Sequence, residues 1–246
     1  MTTLSTARDR LILALDFPSA DLALRHIAQL EGQCLWLKVG LELYLASGGN
    51  IVTSLRDQGF KVFLDLKLHD IPNTVAGAVR SVSSLGASLL TIHAAGGSAM
   101  LSAAAEAAAA TADAPRLLAV TVLTSMDAAQ LNGIGIADSP AAQVLRLGRL
   151  AASAGIDGLV CSPEETAPLR SALSGNPLLV VPGIRPAGAA VGDQRRIATP
   201  ATALAAGASM LVVGRPITQA ADPAKAAEAI LAEMTAAIAS QAALAG

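Results

Sequence analysis

Eight short, almost uninterrupted apolar runs recur along the 246 residues, and segments of helical character separate them. They are Leu11–Phe17, Leu35–Gly40, Lys61–Leu68, Leu89–Ala94, Leu117–Leu123, Gly158–Ser162, Leu178–Ile184 and Met210–Arg215. A strand that is apolar on both faces needs cover on both, which a parallel sheet flanked by helices supplies. Successive runs begin roughly 20 to 40 residues apart, enough for a helical crossover between parallel strands. Eight β/α units in a chain of about this length make a closed (β/α)8 TIM barrel, of class α/β. One barrel domain is therefore expected over residues 1–246, with an N-terminal tail at 1–10 and an Ala-rich helix end at 236–246.

Helix punctuation falls between the runs. Ser162-Pro163-Glu164-Glu165 puts Ser at N-cap, Pro at N1 and Glu at N3, a capping-box arrangement. Thr199-Pro200 repeats the cap, and Gly207 stands where a glycine ends that helix. Gly86 and Gly155 close the helices before the fourth and sixth runs in the same way. The stretch Ala103–Ala110 reads as an ordinary helix packed closely on the barrel.

Composition removes several classes of function. With 53% hydrophobic and 15% charged residues the chain has ample apolar surface to bury, which excludes disorder. Each apolar run is cut by a charge, Gly or Pro before the roughly 18 residues that a membrane span needs. Aromatics at 2% leave no platform for stacking bases, and 17 basic against 19 acidic residues leave no footprint for a phosphate backbone. Cys34 and Cys161 lie far apart without a CxxC, and His26, His69 and His93 show no HxH or HExxH spacing. Neither a metal nor a disulfide framework is expected. The N-terminus MTTLSTARDR lacks the apolar stretch of a secretion signal, so a cytoplasmic protein of a reducing compartment is expected.

Barrels of this type carry their active sites at the C-terminal strand ends. Those ends here carry Asp16, Lys38, Asp65, Lys67, His93, Thr124, Arg185 and Arg215. Asp65 and Lys67 are two apart and share a strand face, while Leu64, Leu66 and Leu68 point to the helices. Lys38 shares a face with Trp36 and Gly40 on the neighbouring strand, and so can lie beside Asp65. Asp70 stands just past the strand and joins the cluster only if the loop turns back or if it comes from another subunit. Charges in a greasy barrel mouth are costly unless mutually paired. A structural ion pair between strands is one reading; two lysines and two acids exceed what such a pair requires, and an ammonium among carboxylates suits a proton donor.

The seventh and eighth runs end in Pro182-Gly183-Ile184-Arg185 and Val213-Gly214-Arg215, at the usual phosphate site of the barrel. Glycine lets the backbone approach an anion, and Arg offers a two-pronged fork for its oxygens. The segment from Pro186 to Ala198, which includes Asp193 and Gln194, has the composition of a lid. Asp16 either accepts hydrogen bonds from sugar hydroxyls or caps the next helix. Thr124 either reads a heterocycle edge or caps a turn in the loop Thr124–Pro140. His93 reads as a satisfied core histidine before a catalyst, and Trp36, Tyr44 and Cys161 as packing.

Leu13-Ala14-Leu15-Asp16, Leu37-Lys38-Val39-Gly40, the run Asp65-Leu66-Lys67-Leu68-His69-Asp70-Ile71-Pro72-Asn73-Thr74, Pro182-Gly183-Ile184-Arg185 and Gly214-Arg215 together resemble the bacterial type of orotidine 5′-phosphate decarboxylase. The likeness runs from about Leu11 to Pro223, and Asp65–Thr74 is its most specific part. It implies loss of CO2 from orotidine 5′-monophosphate to give UMP, the last step of de novo pyrimidine synthesis, with no metal and no organic cofactor. By motif position it implies Lys67 as the proton donor at C6, in an array with Asp65, Lys38 and an Asp70 supplied by the partner in a homodimer. Asp16 and Lys38 would hold ribose hydroxyls, Thr124 would lie near the pyrimidine, and Arg185, Gln194, Gly214 and Arg215 would hold the phosphate. Ile71 and Thr74 would line the shared site. Two alternatives stand beside this reading. A metal-dependent 3-keto-hexulose-phosphate decarboxylase shares the Asp-x-Lys-x-x-Asp stretch but places an acid where Lys38 stands. A non-catalytic phospho-ligand binder would need Gly214-Arg215 without the four charges.

Overall fold

The computed structural model describes residues 4–186 and 197–245. All eight apolar runs become strands: β1 Leu11–Leu15, β2 Trp36–Gly40, β3 Lys61–Leu68, β4 Leu89–His93, β5 Arg116–Val120, β6 Gly158–Val160, β7 Leu178–Val181 and β8 Met210–Val213. Each pairs in parallel with the next, and β8 returns to β1 to close the barrel. Helices occupy every crossover, as the spacing of the runs requires.

The strand period divides the apolar residues into two bodies. Leu11, Leu13 and Leu15 of β1 join Leu37, Val39, Val62 and Leu64 under the helices. Ile12, Ala14, Trp36, Phe63, Leu89, Leu118, Val180, Met210 and Val212 fill the inside of the ring. Burying a side chain of this size contributes about 1.5–3 kcal/mol, so the filled interior is a core and not a channel. Trp36 serves it as packing, with the Lys61 ammonium 5.3 Å from its ring centre. Cys34 and Cys161 are both buried, in separate segments.

The helix starts follow the caps read from the sequence. The Glu165 carboxylate accepts the Ser162 N–H at 2.8 Å, and the Thr199 hydroxyl accepts the Thr202 N–H at 3.2 Å. Gly86, Gly155 and Gly207 have φ of 75°, 79° and 98°, the left-handed turn that ends a helix at little cost only for glycine. The alanine-rich stretch lies in the helix Gly97–Ala109, which buries Ala104 and Ala107.

Two segments differ from expectation. Residues 7–10 of the expected tail form a helical turn closed by Thr6 and Asp9, and Leu4 packs against the inner core. The fifth strand ends at Val120, short of Leu123, because Val122 is buried beyond the last strand pairing and so prolongs the apolar run. The loop that follows contains the helix Ala128–Gly133, whose start is closed by reciprocal hydrogen bonds of 3.0 Å between Asp127 and Gln130. Among the described residues no helix is long and apolar enough to cross a membrane.

Candidate active site

Four charged side chains of alternating sign cross the mouth of the barrel from β1 to β3. Lys38 Nζ lies 3.1 Å from Asp16 Oδ1 and 3.5 Å from Asp65 Oδ2. Lys67 Nζ lies 2.9 Å from the other oxygen of the same carboxylate, Asp65 Oδ1. The middle of the row is the most buried: the Asp16 side chain is 65% exposed, Lys38 11%, Asp65 13% and Lys67 32%. Ala14, Phe63 and Val212 form an apolar floor beneath it, in a cavity of about 250 Å³. Burial alone would raise the Asp65 carboxyl; Lys38 and Lys67, with hydrogen bonds from Lys67 and Thr91, hold it below the ordinary carboxylate value. Asp16 does not cap the following helix, since that role belongs to Ser19.

Asp65 and Lys67 do face one another, but a regular pleat does not bring them together. Lys67 has φ of 52°, in the left-handed region that costs an L-residue roughly 1–2 kcal/mol. The pairing of β3 with β4 shifts register between Leu64 and Leu68, so the strand bulges at this residue. The N–H of Lys67 donates instead to Thr91 Oγ1 at 2.8 Å, and the Thr91 hydroxyl donates to Asp65 Oδ1 at 3.0 Å. Leu66 and Leu68 still pack outward, as expected. Thr91, fully buried on β4, was not among the sequence candidates. Its signal was available: it is a polar residue two positions from the inward-facing Leu89, beside the charged strand.

The other end of the cavity is cationic. Arg185 and Arg215 line it together with Gly183, Gly214 and Thr124. Gly183 has φ of 78° and turns the chain so that Arg185 re-enters the mouth. Arg185 is 7% exposed, and its Nη1 donates to the Ile184 carbonyl at 2.9 Å. Burial, then the neighbouring Arg215, lower its guanidinium from the ordinary value. Two cations converging in a partly desolvated space favour an anion between them. Gly214 has open room, since an added Cβ would meet Ala14 Cβ at 3.5 Å and Asp16 Oδ2 at 3.8 Å, both ordinary contacts. Gln194 and most of the expected lid lie outside the described residues.

Three expected residues stand apart from this cavity within one chain. Asp70 is exposed, makes no ion pair among the described residues, and accepts the Ile71 N–H at 2.6 Å. Ile71 is 67% exposed at the start of the helix Pro72–Ser83, and Thr74 is exposed in its first turn. His93 departs from the reading of a satisfied core histidine: its ring stacks on His69 at 5.3 Å, and its Nδ1 is buried without a hydrogen-bond partner among the described residues. Among the described residues no group of three or more His, Cys, Asp or Glu is placed to hold a metal ion.

Comparison with known proteins places this geometry in a family. Residues 9–230 match the family described as orotidine 5′-phosphate decarboxylase / HUMPS. The chain is 57% identical over 228 residues to the orotidine 5′-phosphate decarboxylase of Halorhodospira halophila, covering 93% of this chain and 97% of the relative. It is 50% identical to that of Pseudomonas aeruginosa, covering 94% and 100%. The crystal structure of orotidine 5′-phosphate decarboxylase from Lactobacillus acidophilus superposes with a TM-score of 0.81 at 40% identity, over 92% of this chain and 98% of that one.

Proposed function

The chain belongs to the orotidine 5′-phosphate decarboxylase / HUMPS family, and from that premise we propose how its charged row acts. The reaction is removal of CO2 from orotidine 5′-monophosphate to give UMP, a step of pyrimidine biosynthesis. The observation that carries the reading is the alternating Asp16, Lys38, Asp65, Lys67 row above an apolar floor, with Arg185 and Arg215 across the same cavity.

Breaking the bond from C6 to the carboxylate leaves an electron pair on C6, in the plane of the ring and outside its π system. A fixed cation beside that carbon stabilises the pair without reorganising solvent. The Lys67 ammonium fills this role: an N–H bond breaks as the C6–H bond forms, and water returns the proton to the amine afterwards. Asp65 holds the ammonium in place, and Lys38 balances the buried carboxylate from its other side. Asp16 and Lys38 take ribose hydroxyls. Thr124 meets the pyrimidine edge. Arg185, Arg215, the Gly214 backbone and Gln194 take the phosphate, whose binding energy is then used at the remote reacting carbon.

Asp70, Ile71 and Thr74 act from a second copy, in a homodimer with shared sites. Leu41 and Leu45 on the turn of helix after β2, and Ile71 after β3, are 49%, 79% and 67% exposed, an apolar surface beside the mouth that suits such a partner. The whole chain works as one barrel domain, in the cytoplasm, with no metal and no organic cofactor.

The metal-dependent 3-keto-hexulose-phosphate reading meets Lys38, an ammonium paired to two acids where that chemistry places an acid. A simple phosphate binder has no use for the β1 to β3 row. The test is the ultraviolet loss of orotidine 5′-monophosphate, with and without a chelator. Loss that survives the chelator supports the reading, and loss that the chelator abolishes overturns its cofactor-free form.

A further inference from the structure

We propose that Thr91 is a positioning residue for this reaction, setting both ends of Lys67 through one buried hydroxyl. The inference rests on the reading of Lys67 as proton donor and goes beyond it. A threonine hydroxyl has one proton to donate and lone pairs to accept with. Here the acceptor side takes the Lys67 backbone N–H at 2.8 Å, which orients the proton toward Asp65 Oδ1 at 3.0 Å. The Lys67 ammonium meets that same oxygen at 2.9 Å. The backbone of Lys67, its ammonium and the carboxylate that anchors the ammonium are therefore referenced to one atom on the neighbouring strand.

The local backbone makes this reference necessary. At φ 52° Lys67 is in a conformation that its own side chain disfavours, and the β3–β4 ladder changes register across it. A strained residue persists only where its surroundings over-determine it. The N–H that the irregular ladder leaves over is satisfied by Thr91 Oγ1, so the hydroxyl replaces the ladder bond at this point. Thr91 suits the task further because a β-branched side chain is stiff at χ1, and the residue is fully buried. The β4 pairings with β5 run unbroken through Thr91, so its backbone is held on that side whatever its hydroxyl does toward β3.

The closing experiment compares Thr91→Val, Thr91→Ser and Lys67→Ala in the full-length protein. Thr91→Val keeps the shape and deletes the hydroxyl, so kcat should fall about 10- to 100-fold, as small misplacements of a reacting group do. KM for orotidine 5′-monophosphate and the affinity for UMP should stay near wild type. The acid limb of kcat should move to higher pH, because Asp65 loses a donor that favours its charged form. Thr91→Ser should regain most of kcat. If Thr91→Val does not fold, Thr91→Cys, a weaker donor of similar size, takes its place with the same expected loss. A Thr91→Val protein with wild-type kcat, or one whose only change is a lower Tm, overturns the inference while a dead Lys67→Ala leaves the functional reading standing. Turnover retained in Lys67→Ala sinks the functional reading instead, whatever Thr91 does.

Discussion

Lys67 reaches Asp65 at 2.9 Å from a backbone turned to φ 52°, out of the strand conformation on either side of it. The geometry that aims the ammonium thus costs stability at the same residue. Removing the side chain should expose both effects. Lys67→Ala and Lys67→Gly should each lose at least about 10⁵ in turnover, combining roughly 10³ from a unit charge near the developing carbanion with about 10² from the lost proton donor. Both should still fold and bind UMP. Glycine accepts the left-handed backbone, so Lys67→Gly should melt about 2–4 °C above Lys67→Ala, as relief of roughly 1 kcal/mol implies in a chain of this size. Thermal melts and ultraviolet assays of the two variants read this; equal melting temperatures would remove the claim of strain.

Arg185 and Arg215 share the other end of the cavity, and the nearness of Arg215 contributes to the lowered guanidinium of Arg185. An anion between them should stabilise the fold, by about 2.7 kcal/mol at a hundredfold excess over Kd. UMP should therefore raise Tm markedly and uridine little. Arg215→Ala should weaken UMP binding about 10- to 100-fold, the range for a lost charge-assisted contact. Decarboxylation of orotidine lacking the phosphate should be nearly unchanged in this variant. Equal damage with and without the phosphate would remove Arg215 from the phosphate site.

The pH dependence of stability follows from His93. Burial, then His69 and Lys67, lower its imidazole from 6.5, so the fold favours the neutral ring. The unfolded chain binds the proton more readily, and the contribution is complete above pH 6.5 and is lost as pH falls through the folded value. Tm should decline as pH falls below 6.5, and less steeply in His93→Gln. Asp65 acts in a lower window, its contribution being lost only below its ordinary value of 3.8. A His93→Gln profile parallel to wild type over the upper range would assign the decline to other groups, with His26, also lowered by burial, the first to examine.

The barrel was legible because strands covered on both faces cannot hide their apolar runs among alternating polar positions. Lys38 and Asp65 were legible for the same reason, as charges on faces whose neighbours are Trp36 and Phe63. Strand ends were less so: Thr124 lies four residues beyond Val120, because a buried Val122 looks like more strand. The Asp65–Lys67 juxtaposition was expected from a pleat and arises from a bulge, which no period-two pattern reveals. Thr91 was overlooked because a lone threonine in an apolar run is ordinary β-strand composition until its neighbour across the ladder is known. Asp70 could not be placed from one chain, since both sequence and structure leave it beside the site and not in it.

Asp70 supplies the test of the shared site. In a homodimer each site would join Lys67 of one copy to Asp70 of the other. Lys67→Ala and Asp70→Asn should each be nearly inactive alone. When the two are mixed and allowed to exchange subunits, half of the dimers become hybrids, and each hybrid carries one site with both residues native and one with neither. Activity should rise to about a quarter of wild type, a consequence of two-fold isologous pairing. Leu45→Glu, which puts a charge on an apolar side chain 79% exposed beside the mouth, should shift the protein toward monomer in sedimentation and abolish the recovery. Mixtures that stay inactive although subunits exchange would place Asp70 outside the chemistry or within its own subunit's site.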